Sequence, residues 1–272
     1  MQFVGGTRYI PHNNQTLAVP RPYIIAETNW KVVQSTPYEV IVLPWGATEA
    51  HNYHLPYATD NIQCDYIAAE SARKAWQEGA RIGVLPTIPF GVNTGQLDIK
   101  LDINMNPSTQ AAVLRDVVDA LVQQDIPKLV ILNGHGGNNF KQMLRELQAE
   151  FPEIFLSVVD WFGVEPWEGY FEDLGDHAGE LETSVMMHIA PNLVAPLSEA
   201  GPGTQHPFKI KALRERWAWA QREWSKATDD TGAGNPALAT AEKGERFLDV
   251  VTSKIAGFFV ELAAADTNDL YE

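Results

Sequence analysis

Short apolar runs alternate along the chain with longer segments in which apolar residues recur every three or four positions. The short runs are typical of buried strands, and they lie at 39–46, 81–91, 127–138 and 154–162, the third ending in a glycine-rich turn. The longer segments predict helices at about 61–78, 105–124, 138–150, 180–190 and 236–263. In the second helix, Asn106 is the predicted N-cap and Pro107 takes the first helical position.

This alternation of strands and helices predicts the fold class. Strands that are apolar on both faces belong to a mainly parallel sheet covered by helices, so we expect an α/β fold. Residues 163–178 are predicted to form an irregular loop, and 196–235, which has few periodic features, is expected to supply a cavity lid or a subunit contact. Since no linker divides the chain, residues 1–272 are predicted to form one domain.

Composition limits the kinds of protein this chain can be. With 272 residues, 45% of them hydrophobic, it can bury a large core without disulfides or metal. The single cysteine, Cys64, fits a reducing cytoplasm and is either a small buried hydrophobe or a reactive thiol. A net charge of −15 disfavours nucleic acid and anionic membranes as partners. We expect no secretory signal in the first 20 residues and no membrane span.

Three polar clusters are predicted to lie at the carboxyl ends of strands, at 48–60, 133–138 and 173–182. Ligands of open parallel sheets bind beyond the carboxyl ends of the strands, so we expect the three clusters to meet at one edge. In the first cluster, Glu49 and His51 point to one side of an extended segment, and Asp60 follows nine residues after His51. These side chains are either metal ligands or ordinary loop residues. His54 is expected beside the ligand set rather than in it.

The other two clusters leave alternatives open. In "NGHGGN", the glycines permit close backbone approach around His135, although an ordinary strand-to-helix turn would look the same. In "DHAGELETS", periodicity does not decide whether Glu180 or Glu182 faces the site beside His177, because Glu180 could simply complement the helix dipole.

Taken together, "LPWGATEAHNYHLPYATD", "NGHGGN" and "HAGELETSVMMH" resemble the creatininase (creatinine amidohydrolase) family over residues 39–190. The resemblance implies a three-layer αβα sandwich, a homo-oligomer that is often a hexamer, and a centre of two metals. These would be Zn²⁺ with Mn²⁺, Fe²⁺ or a second Zn²⁺. By the same resemblance, Glu49 is a ligand of one metal, completed by His135, and His51 of the other, with Asp60 bridging both. His177 has a proton-transfer role, with Asp176 or another carboxylate orienting it.

The chain also departs from the creatininase pattern. Creatininase has a metal-binding glutamate where this chain has Gly137, and a tyrosine where it has Gly136. The resemblance favours Glu182 over Glu180, and we expect Glu182 to replace the missing ligand and to serve in catalysis. Gly136 and Gly137 are expected to contact substrate. Trp161 and Trp167 either stack on it or anchor their loop.

These observations predict a metal-dependent amidohydrolase that acts on a small molecule. Its metal-activated water would cleave a C–N bond of a cyclic amide or formamide. The first alternative is a hydrolase of a cyclic keto-polyol ring of the inosose type, using the same metals. The second is a metal-binding relative without catalysis.

Overall fold

A four-stranded parallel sheet forms the centre of the protein. The computed structural model describes residues 20–272, so the expectation about a secretory signal lies almost wholly outside the described residues. The strands are β1 Val40–Trp45, β2 Ile82–Val84, β3 Lys128–Asn133 and β4 Phe155–Asp160. They pair in the order β2-β1-β3-β4, and every pairing is parallel. The order places β1 and β3, which precede the first two polar clusters, side by side.

Helices cover both faces of this sheet. They are α1 Trp30–Ser35, α2 Thr59–Gln77, α3 Pro107–Val122, α4 Lys141–Glu150, α5 Glu180–Ile189, α6 Lys211–Arg214, α7 Trp224–Ala227 and α8 Ala241–Ala264. Alternate side chains of β1 separate to the two faces, as a pleated strand requires. Val40 and Val42 pack in the core that α2, α5 and α8 cover, whereas Ile41 and Leu43 pack with α3 and α4. The predicted three-layer αβα sandwich with a parallel sheet is confirmed.

Several element boundaries differ from the prediction, each for a local reason. β2 is much shorter than 81–91, since Pro86 and Pro89 in that stretch have no N–H to donate to a ladder. α8 begins at Ala241 because the Thr240 side chain accepts from the N–H of Lys243 and caps the helix there. Asn106 does precede α3, but its side chain makes no capping hydrogen bond.

Two further expectations concern the chain as a whole. No helix within residues 20–272 combines the length and the apolar character that crossing a bilayer requires. The single domain over residues 1–272 stays a prediction, because the described residues begin at 20.

Candidate metal centre and active-site cavity

The predicted ligands come from four segments and meet at the carboxyl edge of the sheet. Glu49 and His51 follow β1, and His135 follows β3. Asp60 lies in the first turn of α2, and Glu182 in the first turn of α5. All but Glu182 are buried. The expected convergence of sequence-distant clusters at one edge is therefore seen.

Two groups of ligand atoms share one carboxylate. In the first group, His135 Nδ1 lies 2.9 Å from Glu49 Oε1 and 3.1 Å from Asp60 Oδ2. In the second, His51 Nε2 lies 2.9 Å from Asp60 Oδ1 and 4.0 Å from Glu182 Oε2. Each group keeps its ligand atoms within 4.8 Å of one another. Asp60 thus presents one oxygen to each group, which is the arrangement of a bridging carboxylate.

Backbone carbonyls orient the three histidines at this edge. Their hydrogen bonds are His51 Nδ1 to Glu49 O at 3.1 Å, His135 Nε2 to Val92 O at 3.1 Å, and His177 Nε2 to Ala50 O at 2.8 Å. A carbonyl only accepts, so the bonded nitrogen of each ring carries its hydrogen. The other nitrogen faces the carboxylates. Ligating histidines in proteins are held in this way.

The charges of the cluster are strongly coupled. Burial alone would lower the pKa of His51, but the charge and hydrogen bond of Asp60 outweigh it and raise that pKa to about 10. The pKa of His135 is likewise raised well above its usual value, against burial, mainly by Glu49. Burial would raise the pKa of Glu49, yet His135 and His177 hold it well below its ordinary range. In the metal-free protein, positively charged imidazoles therefore pair with the buried carboxylates.

This donor set fits divalent cations. It combines imidazole nitrogens with carboxylate oxygens, the ligands that zinc takes in hydrolytic sites. Asp60 Oδ2 is buried and makes no well-aligned hydrogen bond among the described residues, because its neighbour His135 Nδ1 lies closer to Glu49 Oε1; such an oxygen is costly to bury. Cations between these atoms would replace the imidazole protons and neutralise the buried carboxylates.

The structure separates the two glutamates that periodicity leaves undecided. Glu180 is fully buried and pairs with Lys243 of α8, and its other oxygen accepts the N–H groups of Glu172 and Asp173 at 2.9 and 2.8 Å. It fixes the loop before α5 and the contact with α8. Glu182 instead accepts from the N–H of Ala178 and faces His51. Of the two, Glu182 is the one placed to receive a cation.

A cavity of about 640 Å³ opens above the cluster. Glu49, Asp60, His135, His177 and Glu182 lie along its wall, together with Gly136, Gly137 and Trp167. Trp161 does not: its side chain is buried in the core. The expectation that Trp161 contacts substrate is therefore not supported, whereas Trp167 remains a candidate.

The structure corrects one further expectation, about Asp176, and places His54 outside the ligand groups, as expected. Asp176 does not orient His177, because its carboxylate pairs with Arg222 at 3.1 Å and the ring of His177 is held by the Ala50 carbonyl. His54 is buried outside the ligand groups, and its Nε2 lies 2.8 Å from Thr183 Oγ1. Burial lowers the pKa of His54 to about 4, so this histidine is neutral at pH 7.

The departure at Gly137 has a steric cause. A Cβ at that position would lie 2.3 Å from Val92 O and 2.4 Å from His135 Nε2. No side chain, and so no ligand glutamate, fits there without moving the backbone. At Gly136 nothing lies within 4 Å of the same added atom.

Sequence reasoning missed two parts of the site. Gln96, in the stretch "GVNTGQ", donates from Nε2 to Glu49 Oε2 at 2.6 Å within a buried environment. Residues 219–224, here called the rim segment, bring Trp219, Arg222 and Trp224 to the cavity. The run "WAWAQREW" at 217–224 was the available signal, since tryptophans in a non-periodic stretch need a packing or binding role.

Comparisons with known proteins agree with this geometry. The creatinine amidohydrolase family model matches residues 26–259. A crystal structure from Bacteroides fragilis NCTC 9343, assigned to the creatinine amidohydrolases, has a TM-score of 0.88 and 48% identity and covers 93% of this chain and 100% of its own. Solved creatininases of the Zn–Zn type and with Mn align at 24% and 22% identity, each with a TM-score of 0.71 and covering 90% of this chain and all of theirs.

Curated relatives carry more than one activity. The mycofactocin precursor peptide peptidase of Mycobacterium ulcerans is 29% identical, with 79% of this chain and 84% of the relative covered. The creatinine amidohydrolase of Pseudomonas putida is 26% identical over 85% and 94% of the two chains. A pyrimidinone monophosphate deformylase of Methanothermobacter marburgensis is 24% identical over 89% and 94%. The predicted resemblance is confirmed, and the chain belongs to the creatininase family of amidohydrolases.

Proposed function

We propose that this protein is a metal-dependent hydrolase of a non-peptide C–N bond, in a cyclic amide or formamide. The observation that carries the proposal is the position of Asp60, whose two oxygens each complete a separate group of ligand atoms. Sites with two metals sharing a carboxylate are typical of hydrolases. The deformylase among its relatives supports the formamide class, and the Pseudomonas enzyme supports the cyclic amide class.

The two groups of side chains would hold one divalent cation each. Glu49, Asp60 and His135 would hold the first, and His51, Asp60 and Glu182 the second. We propose Zn²⁺ for one and Mn²⁺, Fe²⁺ or Zn²⁺ for the other, since related creatininases are described in Zn–Zn and Mn forms. When bound, such ions make water more acidic and polarise a carbonyl.

His177 is placed to move a proton in this cavity. Its Nε2 hydrogen is committed to Ala50 O, so its free nitrogen is Nδ1, which lies 3.8 Å from Glu49 Oε1. Nδ1 can accept the proton of an attacking water and return it to the leaving nitrogen. The ring centres of Trp224 and His177 lie 5.3 Å apart with the planes nearly perpendicular, and this T-shaped contact restrains the imidazole.

The glycine turn would complete the reaction centre. The N–H of Gly134 is bonded to Trp45 O and that of His135 to Asn133 Oδ1. The N–H groups of Gly136 and Gly137 have no backbone partner among the described residues and lie along the cavity wall. They are candidates to donate to an oxyanion as it forms on the substrate carbonyl.

A peptide bond is the second candidate substrate. Two observations favour it: the cavity is as large as those that hold drug-sized ligands, about 300–1,000 Å³, and several of the curated relatives are peptide peptidases. The described residues hold no specific feature that favours a keto-polyol ring. A purely structural metal site is disfavoured because the ligands line an accessible cavity beside a free imidazole nitrogen.

A substrate panel tests the proposal. Metal content is measured, and hydrolysis of creatinine, formamides, short peptides and inososes is assayed with added Zn²⁺ or Mn²⁺. Formamide or cyclic amide turnover supports the proposal, and turnover of peptides or inososes alone contradicts it. In a His177→Ala variant we expect retained metal and a rate lower by about 10²–10⁴-fold.

The bridging role is tested separately with Asp60→Asn. We expect loss of both metals and of activity, by more than the roughly 10–100-fold that removing an outer hydrogen bond costs. Asp65→Asn is the matched control, because Asp65 lies on the same helix, is exposed and, within residues 20–272, bonds only to Thr87. Full metal content in Asp60→Asn would contradict the shared-carboxylate centre. A cytoplasmic location and a homo-oligomer, with the hexamer as an example, stay predictions.

A further inference from the structure

The rim segment is fixed to the cavity by several contacts. The N–H of Trp224 donates to Gly95 O at 2.8 Å, and its indole N–H donates to Thr231 O at 2.8 Å. Gly95 packs so tightly beneath the segment that a Cβ there would lie 2.2 Å from Arg222 O. Side chains of the rim segment are therefore held in place over the cavity.

Arg222 is the side chain of the rim segment that can bind a charged ligand. Its guanidinium lies over the Trp224 ring, 4.4 Å from the ring centre, and one nitrogen lies 3.1 Å from Asp176 Oδ2. Stacking on one side and the ion pair at one edge fix the plane of the group. Within residues 20–272, no carboxylate other than Asp176 pairs with it, and about a third of the side chain is exposed. The remaining N–H donors are available to a ligand.

The position of Arg222 relates it to the reacting end of the cavity. Trp224 contacts Arg222 with its face and makes a T-shaped contact with His177. A group bound by Arg222 would thus lie one aromatic ring away from the imidazole proposed to transfer the proton.

The charge of the molecule makes this arginine unusual. The chain carries −15 overall, and the cavity wall holds five carboxylates, from Glu49, Asp60, Asp160, Asp176 and Glu182. Besides the histidines, the basic side chains on that wall are Arg222 and Lys141. A planar, stacked guanidinium binds carboxylate and phosphate oxygens through paired hydrogen bonds. In this acidic protein, the stacked guanidinium of Arg222 therefore marks the place on the rim where an anion can bind.

We propose that the substrate carries an acidic group, a carboxylate or phosphate, which Arg222 binds at the rim while the scissile C–N bond lies at the metal centre. The inference rests on the proposed function and narrows its substrate class. Because the cavity is large enough for a molecule that spans both places, one substrate can make both contacts.

Three matched formamides test the inference. N-formylglycine carries a carboxylate, N-formylaminomethylphosphonate carries a phosphate-like group, and N-formylglycinamide is neutral. For the metal-loaded protein we expect kcat/KM to be higher for one acidic member than for the neutral one. In Arg222→Gln we expect the ratio of kcat/KM for the acidic member to kcat/KM for the neutral member to fall about 10- to 100-fold. This is the effect of losing a charge-assisted hydrogen bond of about 1.5–3 kcal/mol. The acidic member whose kcat/KM, relative to the neutral member, falls more in Arg222→Gln identifies the preferred group as carboxylate or phosphate.

Arg246→Gln is the matched control. Arg246 is also an exposed arginine over an aromatic ring, 5.6 Å from the centre of Tyr170, but it does not line the cavity. Its substitution removes the same charge, and we expect an unchanged ratio. Equal loss on all three formamides in Arg222→Gln would overturn the inference, since Arg222 would then only hold the rim segment through Asp176.

Binding measured by calorimetry separates the two proposals. If neither these formamides nor the cyclic amide of the substrate panel is hydrolysed, the proposed reaction fails. The anion site still stands if an acidic member binds more tightly than the neutral one in wild type and Arg222→Gln removes the difference. If the neutral member binds as tightly as both acidic members, the anion site is overturned, whatever is hydrolysed.

Discussion

At the scale of single residues, Gln96 shows how a side chain outside the ligand groups can control them. Its amide donates to Glu49 Oε2, while Glu49 Oε1 faces His135 and His177. The hydrogen bond therefore sets which oxygen points toward the first cation. Such outer hydrogen bonds typically contribute 10–100-fold to metal affinity.

Replacing Gln96 by Leu should accordingly weaken metal binding by about 10–100-fold, because Glu49 loses the partner that orients it. Affinity is measured by titrating chelated protein with Zn²⁺. Thr94→Val is the control, since the Thr94 hydroxyl is exposed and donates to Gln221 rather than to a ligand. Unchanged affinity in Gln96→Leu would show that packing alone positions Glu49.

The histidines lead to a second prediction, on pH. The pKa of His51 is about 10 and that of His135 is also raised, so both rings are protonated on both nitrogens and positively charged at pH 7 in the metal-free protein. Bound cations need neutral imidazoles, so binding must release protons. Zn²⁺ affinity should rise as pH increases from 7 toward about 10. Calorimetry in buffers of different ionisation enthalpy should show about one proton or more released. Buffer-independent heats would contradict this.

At the scale of elements, the turn between β3 and α4 depends on glycine at position 137. Gly137 has no space for a Cβ beside Val92 O and His135 Nε2, whereas its neighbour Gly136 has open space. The turn is also tied internally, because Asn138 Nδ2 donates to Asn133 Oδ1 at 2.9 Å. This rigidity keeps His135 close to the end of its strand.

Gly137→Ala should therefore displace His135 and weaken Zn²⁺ binding, and overpacking should lower the free energy of unfolding by about 1–3 kcal/mol. Gly136→Ala is the neighbouring control and should keep both the metal affinity and the melting temperature. The measurements are Zn²⁺ titration and thermal unfolding. Equal behaviour of the two variants would mean that the turn can shift to accept a side chain.

The elements also show what sequence patterns can and cannot reveal. Apolar runs predicted β1, β3 and β4 because β1 and β3 are buried on both faces and β4 is partly buried. The choice between Glu180 and Glu182 depended on Lys243, which lies 63 residues after Glu180 in α8. Periodicity within one helix cannot report such a partner. The rim segment was missed for a similar reason, since it has no regular structure before α7 begins at Trp224.

At the scale of the whole molecule, the candidate centre joins parts of the chain that lie far apart in sequence. The loop after β1, the first turns of α2 and α5, and the turn after β3 all contribute ligand atoms. The core itself lies deeper, in the two layers packed against the sheet. We therefore expect cations to stabilise this edge of a protein that folds without them.

Removing the metal tests this expectation. Ligands that bind only the folded state at 1,000 times their Kd contribute about 4 kcal/mol, so chelation should lower the melting temperature by roughly 10 °C in a chain of this size. Added Zn²⁺ should restore it in wild type and in Asp65→Asn, but not in Asp60→Asn, which lacks the shared carboxylate. Complete unfolding on chelation would make the ions structural, and no shift at all would remove the metal centre. A partial, reversible shift is expected, because the buried core on both faces of the sheet persists while the four ligand-bearing segments lose their common partner.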